Sequence, residues 1–354
     1  MANACRHIGG KAVTEPKIQI KHLYKIFGKT PEKVLPLVRD EGMGKDELLE
    51  KTNHVLGVND VSLDIWPKQI QVVMGLSGSG KSTLIRHINR LIEPTGGEVI
   101  IDGEDVLAMN QTQLRELRRN KMSMVFQKFA LLPHRTIREN VGYGLEIQGV
   151  GEDEIARRAQ HWIDRVGLTG YEDHYPGHLS GGMQQRVGLA RGLATDADIL
   201  LMDEAFSALD PLIRFDMQSI LLELQNELHK TIVFITHDLD EALRLGDNIA
   251  ILRDGAMVQQ GDAQDIVLHP ADDYIRDFIK DINRAKVIQL RALAKPLEPG
   301  ETPPEVPHFP ANTRLEDALL PMSQAPGQEV LVDGTDGALL GRASLSDAIR
   351  ALHE

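Results

Sequence analysis

The sequence predicts an α/β protein built on a mainly parallel sheet, and three observations lead to this fold class. A glycine-rich stretch, 75–83, lies between the apolar segment 71–74 and a segment, 84–92, that is apolar at helical spacing. The run 199–202 is continuously apolar, as a strand covered on both faces is, and 231–235 is predicted to be another buried strand. A helical pattern separates these two runs, and strands that alternate with helices pair in parallel.

Composition sets the broad class of the protein. The 354 residues are enough for two or three domains, and 42% apolar with 26% charged residues is ordinary for a globular chain. A net charge of −13 disfavours a nucleic-acid binder. Cys5 is the only cysteine, so we expect a reducing compartment. We find neither a secretory signal in residues 1–13 nor an apolar run of membrane-spanning length.

The N-terminal part begins with a segment, 1–15, that we expect to be flexible. Residues 28–56 are rich in charge and indicate a surface insertion with one short helix near 47–50. Alternating or apolar runs that end at turn residues predict strands at 17–21, 61–65 and 98–101.

Helical patterns dominate from residue 111 to 194, a subdomain interrupted by the predicted strand 122–126. A further helix is predicted at 212–228, and two strands flank the turn Asp254-Gly255.

The character of the chain changes near residue 265. Basic residues recur through 276–295 in a helical-looking pattern, and prolines then recur up to Pro310, which predicts a semi-extended linker. The domains predicted in this way are 16–265, a helical and Pro-rich segment 266–310, and a small unit 311–354.

The stretch 75–83 fits the phosphate-binding pattern G-x-x-x-x-G-K-[ST] at Gly75, Gly80, Lys81 and Ser82. A loop between a strand and a helix turns backbone N–H groups toward a phosphate at the positive end of the helix. Lys81 can reach the β- and γ-phosphates, and the Ser82 hydroxyl can ligate Mg²⁺. The alternative is a Gly/Ser turn beside a lysine, which the flanking strand and helix disfavour.

Two carboxylates, Asp203 and Glu204, follow the buried strand 199–202. Ligands of open parallel sheets bind at this edge, so Asp203 could hold Mg²⁺ and Glu204 could accept a proton from water. The alternative is the acidic start of a helix.

The segment 179–185, Leu-Ser-Gly-Gly-Met-Gln-Gln, opens another helix with Ser180 as a good N-cap. It is either a capped helix start or a second phosphate-binding end, one that cannot reach the loop 75–83 of its own chain.

This segment resembles the signature motif of ATP-binding cassette (ABC) ATPases, and the other motifs of that family are present in its order. Gln127 resembles the Q-loop glutamine, 207–210 the D-loop and His237 the switch histidine. Phe27 resembles the aromatic residue that stacks on adenine, with nearby Tyr24 as the alternative. The resemblance covers about residues 17–265. It implies a P-loop NTPase of ABC type with a parallel core sheet, an antiparallel β subdomain and a helical subdomain.

Within the family, the chain is most similar to ATP-binding subunits of glycine betaine, proline betaine and choline importers. The insertion 28–56 and the segments 74–80, 202–214 and 237–242 carry this similarity. It implies ATP-driven uptake of a quaternary-ammonium osmoprotectant. The alternatives are import of another small solute such as an amino acid, a soluble ABC ATPase without a transport role, and a nucleotide sensor.

The resemblance implies that two copies face each other head to tail and hold ATP between 75–83 of one copy and 180–182 of the other. Catalysis would depend on Lys81, Glu204 and His237, and Mg²⁺ would be held by Ser82, Gln127 and Asp203. The residues expected to contact the nucleotide are Phe27, Gly75, Leu76, Ser77, Gly78, Ser79, Gly80, Lys81, Ser82, Thr83, Gln127, Ser180, Gly181, Gly182, Gln184 and Asp210.

Partners follow from the same resemblance. A membrane permease would hold the chain at the cytoplasmic side of the membrane, and a substrate-binding protein would act on that permease. Residues 129–134 resemble the region that receives a permease's coupling helix, and their alternative role is local packing.

The last unit shows a helix, two strands and a helix, which resembles one cystathionine β-synthase (CBS) repeat. Because so small a unit buries little surface, we expect it to pair with its counterpart in a second copy. Thr313 and Glu316 predict a capping box. Ser344 and Asp347 fit a ribose-binding pattern or a helix cap, and we favour the cap. The basic stretch 276–295 is a candidate for sensing ionic strength or, more simply, a solvated helix face.

Overall fold

The structure is a computed structural model that describes residues 15–127, 129–298, 302–334 and 336–353. The predicted flexible segment 1–15 therefore lies almost wholly outside the described residues. The chain divides into two compact units, one up to Val258 and one from Gln259 onward. The domain limits 16–265, 266–310 and 311–354 stay predictions.

The first unit contains strands and helices in the alternation that the sequence predicts. Its strands are β1 (Ile18–Phe27), β2 (Val55–Ile65), β3 (Ile70–Met74), β4 (Gly96–Ile101), β5 (Glu104–Asp105), β6 (Met122–Phe126), β7 (Ile199–Asp203), β8 (Thr231–Thr236), β9 (Asn248–Arg253) and β10 (Ala256–Gly261). Its helices are α1 (Leu35–Arg39), α2 (Lys45–Thr52), α3 (Lys81–Ile88), α4 (Gln111–Glu116), α5 (Ile137–Gln148), α6 (Glu152–Arg165), α7 (Gly181–Ala194), α8 (Pro211–Leu228) and α9 (Leu239–Leu245).

The core sheet has the strand order β10-β9-β3-β8-β7-β6. Neighbours from β9 to β6 are parallel, so the carboxyl ends of β3, β6, β7 and β8 lie along one edge. Every residue of β3, β7 and β8 is buried, which explains their continuous apolar sequence. The predicted parallel sheet is confirmed.

A second sheet, in the order β2-β1-β4-β5, is antiparallel. β2 begins at Val55, earlier than the predicted start at 61. Bulges in its pairing with β1 break the alternation that a sequence pattern can detect.

The insertion 28–56 is more ordered than the predicted single helix. It forms a short 3-10 turn (Pro31–Lys33), α1 and α2. Pro31 lies at the start of the 3-10 turn and Pro36 at the start of α1. Val38 and Leu48 are buried in a small cluster with three side chains of β1 and β2. α2 confirms the helix predicted near 47–50, whereas α1 was not predicted, because its five residues are too few to show a helical period in the sequence.

The helical region 111–194 contains α4 to α7 with β6 between α4 and α5, as predicted. α5, α6 and α7 pack on one another. α5 begins with a capping box in which the Thr136 hydroxyl accepts from the Glu139 N–H group, and the Glu139 carboxylate accepts from that of Thr136.

The second unit begins with α10 (Ala263–Leu268), α11 (Asp273–Ile279) and α12 (Arg284–Val287). It continues with β11 (His308–Pro310), α13 (Leu315–Gln324), β12 (Glu329–Asp333), β13 (Leu339–Ser344) and α14 (Leu345–His353). The three strands form one sheet in the order β11-β12-β13. β11 lies in the segment that the sequence indicates as linker, and its parallel pairing with β12 gives it this strand conformation.

The capping box predicted at Thr313 and Glu316 is wrong. α13 begins at Leu315, and its N-cap is Arg314, whose side chain makes no capping hydrogen bond. Thr313 and Leu315 instead pair by backbone hydrogen bonds with Leu290 and Ile288, each 2.9 Å long. The cap predicted at Ser344 is present, because its hydroxyl accepts from the Asp347 N–H group over 3.2 Å.

Candidate nucleotide-binding site

The loop 75–80 joins β3 to α3 at the carboxyl edge of the core sheet. Gly75, Gly78 and Gly80 have φ angles of 150°, 79° and 98°, which side chains other than glycine's rarely allow. A Cβ atom on Gly75 would lie 2.2 Å from the Leu252 carbonyl oxygen, and one on Gly80 would lie 2.4 Å from that of Gly57. The glycines at these positions are therefore required by the backbone itself.

Lys81 is the first residue of α3, and it is only 4% exposed. Its ammonium group donates to the carbonyl oxygens of Gly75 at 2.8 Å and Leu76 at 3.0 Å, and it lies 3.9 Å from Glu204 Oε1. Burial lowers the pKa of Lys81, and the carboxylates of Glu204 and Asp203 act in the opposite direction. The loop 75–80 therefore surrounds the Lys81 ammonium group and would bring it next to a ligand bound in the loop.

Ser82 and Asp203 bring two oxygen atoms together beside the loop. The Ser82 hydroxyl donates to Asp203 Oδ1 over 2.7 Å, and Arg86 Nη2 contacts the other carboxylate oxygen at 3.1 Å. Asp203 is the last residue of β7 and is nearly buried. A hydroxyl and a carboxylate of this kind suit a hard cation such as Mg²⁺.

Glu204 lies at the centre of a polar cluster. Gln127 Nε2 donates to Glu204 Oε2 over 3.0 Å, and His237 Nδ1 lies 3.4 Å from the same oxygen. These residues follow β7, β6 and β8, three neighbouring strands that end at one edge. Ser207 joins the cluster because its hydroxyl accepts from Gln127 over 3.3 Å and donates to the Glu204 carbonyl over 2.9 Å. A carboxylate, an amide and an imidazole so arranged can orient a water molecule and remove its proton.

The backbone of Glu204 is unusual. Its φ angle is 47°, in the left-handed region, and its N–H group donates to the Ile235 carbonyl over 3.1 Å. Side chains other than glycine, asparagine and aspartate enter this region at a cost. The turn after β7 therefore fixes the direction of the Glu204 side chain by backbone geometry.

The signature segment occupies a different place from this cluster. Ser180 is the N-cap of α7, and its hydroxyl accepts from the Met183 N–H group over 3.3 Å. Gly182 lies against Ile213, since a Cβ atom there would meet Ile213 Cγ2 at 2.8 Å. Gln184 donates to the Leu179 carbonyl over 3.1 Å. The contacts of these side chains are with their own helix start and the start of α8.

Asp210 caps α8, accepting from the Ile213 N–H group over 3.1 Å. The sequence-predicted residues thus fall into two groups. One group surrounds the loop 75–83 and includes Gln127, Asp203, Glu204 and His237. The other, Ser180–Gly182 with Gln184 and Asp210, surrounds the starts of α7 and α8.

The two candidate aromatic residues near the loop differ in exposure. Tyr24 is 7% exposed and belongs to the cluster that contains Val38 and Leu48. Phe27, the last residue of β1, is 40% exposed, and one side of its ring lies over Gly57. Lys25 Nζ is 5.1 Å from the centre of the same ring. Of this pair, only Phe27 is exposed to solvent.

The sequence reasoning missed several contacts near the site. Arg86, one and a half turns after Lys81, contacts Asp203, and Arg214 contacts Asp238, the neighbour of His237, at 2.9 Å. Lys45 in the insertion donates to the Gly78 carbonyl over 3.3 Å. Arg86 could have been suspected from its place on α3, whereas the other two contacts depend on how distant segments fold together.

Comparison with known proteins places these features in a family. The model of the ABC transporter family matches residues 58–207. The glycine betaine/carnitine transport ATP-binding protein of Listeria monocytogenes is 56% identical over 271 residues, which cover 77% of this chain and 68% of the relative. The chain belongs to the ATP-binding subunits of ABC transporters. The resemblance to betaine transport ATPases and the ABC fold class are confirmed.

Other relatives agree with this assignment to the ABC family. The glycine betaine/proline betaine transport ATP-binding protein of Escherichia coli is 51% identical, covering 79% of this chain and 70% of the relative. The trimethylamine N-oxide transport ATP-binding protein of Ruegeria pomeroyi is 45% identical, covering 92% of this chain and 96% of the relative. A solved structure of a dimeric bacterial ABC transporter cassette matches with a TM-score of 0.59 at 32% identity, covering 69% of this chain and 98% of that one.

As a member of this family, the chain is an ATP-binding ATPase of the transport type. Its fold agrees with a second solved cassette, bound to ADP and phosphate, at a TM-score of 0.59 and 31% identity, covering 69% of this chain and 98% of that one. No helix in the described part of the chain combines the length and apolarity needed to cross a membrane.

Proposed function

We propose that this ABC ATPase energises the import of a small methylated amine, with a quaternary-ammonium osmoprotectant such as glycine betaine, proline betaine or choline as cargo. The observation that carries hydrolysis is the Gln127–Glu204–His237 cluster beside the loop that holds Lys81. The cargo rests on relatives that are 51% to 56% identical and are named for glycine betaine transport.

The loop supplies the binding of the nucleotide. Backbone N–H groups at the start of α3 and the buried Lys81 ammonium would surround the β- and γ-phosphates, and they replace water by fixed donors. Phe27 would stack on the adenine, because its ring is exposed and the ring of Tyr24 is not.

Glu204 would orient the attacking water and accept its proton, and His237 would donate a hydrogen bond to the γ-phosphate. Both assignments are supported by the 3.4 Å separation of His237 Nδ1 from Glu204 Oε2, which leaves them on one side of the loop. Gln127 would hold Glu204 in place through its 3.0 Å hydrogen bond.

Ser82, Asp203 and Gln127 would hold Mg²⁺, and the adjacent oxygens of Ser82 and Asp203 fit that ion. Bound there, the ion would neutralise charge on the phosphates. No group of three His, Cys, Asp or Glu side chains in residues 15–127, 129–298, 302–334 and 336–353 is placed to hold a metal. Phosphate and water would therefore supply much of its shell.

Two copies would complete each other's sites. Ser180 and the N–H groups at the start of α7 lie in a group of residues separate from the loop 75–83 and point to a second triphosphate contact in trans. The separate grouping of Ser180, Gly182 and Asp210 around the starts of α7 and α8 supports this head-to-tail pairing.

A permease would hold the ATPase at the cytoplasmic side of the membrane, with a substrate-binding protein acting through it. A groove of about 340 Å³ supports this interaction, lined among others by Phe126, Leu132, Tyr143 and Arg191. It adjoins Gln127, so movement of an inserted permease helix would reach the hydrolytic cluster directly. Local packing, the alternative role of 129–134, would explain the apolar residues of this segment but would not require an open groove beside them.

Trimethylamine N-oxide is a second candidate cargo. The Ruegeria pomeroyi relative named for its transport matches nearly end to end, whereas the Escherichia coli relative matches over 70% of its length. The similarity to the Ruegeria pomeroyi relative therefore covers most of the second unit.

The test is transport by the chain with its permease and binding protein in proteoliposomes that contain ATP. We expect uptake of radiolabelled glycine betaine in preference to trimethylamine N-oxide. Glu204→Gln should bind ATP with at least wild-type affinity and lower turnover by about a hundredfold or more, because the water loses its base.

The control is Glu223→Gln, which removes a carboxylate on α8 away from the loop. Wild-type hydrolysis by Glu204→Gln would remove Glu204 from its assigned role. If the transporter takes up an amino acid but neither glycine betaine nor trimethylamine N-oxide, the proposed cargo is wrong.

A further inference from the structure

The insertion 28–56 is attached to the nucleotide site at both of its ends. Phe27 precedes it, and Gly57, which follows it, lies against the Phe27 ring at a distance that excludes a side chain. The Gly57 carbonyl in turn lies 2.4 Å from where a Cβ atom of Gly80 would be. The residues that flank the insertion therefore contact both the exposed aromatic ring and the loop.

The insertion packs against β1 and β2 through buried apolar side chains. Leu48 of α2 is fully buried, and Val38 of α1 is 5% exposed, in the cluster with Tyr24, Ile26 and Leu56. His54 fixes the return of the chain, because its ring nitrogens contact the carbonyl oxygens of Thr52 and Lys29 at 2.7 Å and 2.8 Å. α2 is therefore fixed against β1 and β2.

The first residue of α2 is Lys45, whose side chain extends to the phosphate-binding loop. Its Nζ donates to the Gly78 carbonyl over 3.3 Å and lies 3.9 Å from Asp254 Oδ1, in the turn between β9 and β10. The side chain is 33% exposed, so these contacts leave part of it open to solvent.

A lysine at this position does not serve the helix. The first turn of a helix favours anions, and a cation there is unfavourable. Asp46 and Glu47, which follow, obey the preference, whereas Lys45 does not. The favourable contacts of Lys45 are outside the insertion, with Gly78 of the loop and with Asp254.

We propose that Lys45 is a second phosphate-contacting cation, supplied by the insertion at the outer rim of the loop that Lys81 occupies from inside. The inference rests on the proposed function of the loop and adds a residue to it. Its ligand is the polyphosphate of a nucleoside di- or triphosphate. A net charge of −13 repels such a ligand at long range, so a local cation beside the loop has a large relative effect.

The experiment measures equilibrium binding of ATP, ADP and adenosine to the full-length protein by displacement of a fluorescent nucleotide. Lys45→Gln should raise the Kd for ATP and for ADP about three- to tenfold, as expected for one partly exposed charge-assisted contact. Adenosine should bind equally to wild type and variant, because it lacks phosphate. The ATP difference should shrink as KCl is raised.

Lys51→Gln is the matched control, since Lys51 is exposed on the same helix and pairs with Glu47. It should leave all three affinities unchanged, and Lys45→Arg should restore most of the ATP affinity. Equal ATP affinities of Lys45→Gln and Lys51→Gln would overturn the proposal. A parallel loss of adenosine affinity would do so too, because it would mean that Lys45 only supports the fold around Phe27.

Lys81→Ala, measured in the same assay, distinguishes a wrong role for Lys45 from a wrong assignment of the nucleotide site. If Lys81→Ala binds ATP like wild type, the loop is not the nucleotide site and both proposals fall. If Lys81→Ala loses ATP and Lys45→Gln does not, only the role of Lys45 is wrong.

Discussion

Arg214 connects two segments that flank the Gln127–Glu204–His237 cluster. Its Nη1 donates to Asp238 Oδ2 over 2.9 Å, and its Nη2 donates to the Leu209 carbonyl over 3.2 Å. Asp238 follows His237 directly and caps α9 through the Glu241 N–H group. The guanidinium group thus fixes the segment after β7 relative to the segment that carries the histidine.

Arg214→Gln should lower kcat for ATP hydrolysis about tenfold, or 1.4 kcal/mol, and change the Kd for ATP less than twofold. The reason is that the side chain positions His237 without lying on the loop that holds phosphate. Steady-state hydrolysis and nucleotide binding would be measured together.

Arg165→Gln is the control. Arg165, the last residue of α6, pairs with Glu227, which lies on α8 at the opposite end from Arg214. An Arg214→Gln variant that loses ATP affinity but keeps kcat would contradict this positioning role.

The residues of the site differ in how far the sequence predicts their arrangement. Glycines, Lys81 and the polar residues at strand ends follow from short patterns and from the shared edge of parallel strands. The contacts of Lys45 with Gly78 and of Arg214 with Asp238 join residues 33 and 24 positions apart. No local pattern encodes such contacts, because they depend on the packing of whole elements.

At the scale of elements, α3 carries a buried histidine behind the loop. His87 is fully buried, its Nδ1–H donates to the Thr83 carbonyl over 2.6 Å, and its Nε2 has no hydrogen-bond partner within the described residues. Burial lowers the pKa of His87 to about 4. A protonated ring there would carry an unpaired buried N–H group, which is unfavourable.

The unfolded chain therefore takes up a proton near pH 6.5, and the folded chain takes it up only near pH 4. Stability from His87 is complete above pH 6.5 and decreases as the pH falls toward 4, by up to about 3 kcal/mol. His87→Gln should flatten this part of the pH profile of thermal unfolding. Melting curves of wild type and variant between pH 4.5 and 7.5 would measure it, and parallel profiles would refute it.

Elements with strong patterns were predicted well, and those with weak patterns were not. β6, β7 and β8 agree with their predicted positions within a residue. α1 of the insertion was missed because it is only five residues long, and the start of α13 was misplaced because backbone pairing with Ile288 and Leu290 takes the place of a capping box. Tertiary contacts decide such boundaries.

At the scale of the whole molecule, the second unit has its own interior. Ile288 and Leu290 are fully buried, and their neighbouring backbone groups bond to Leu315 and Thr313. Lys295 and Arg342 exchange two backbone hydrogen bonds of 2.8 Å and 2.9 Å. Residues that precede the Pro-rich segment therefore share a core with residues that follow it.

A chain that ends at Gly261 should melt cooperatively and bind little hydrophobic dye. A chain that ends at Pro310 should melt at a lower temperature and bind more dye, because Ile288 and Leu290 lose their cover. Differential scanning fluorimetry and dye titration would compare the two. If the longer fragment behaves like the shorter one, the shared core does not stabilise 263–298.

The exposed ring of Phe27 has a consequence for which nucleotide this molecule would use. In its proposed role, this flat hydrocarbon face would contact a base by stacking, and adenine and guanine offer it similar surfaces. As far as this contact is concerned, the choice between adenine and guanine would then depend on the relative abundance of the two triphosphates in the cell.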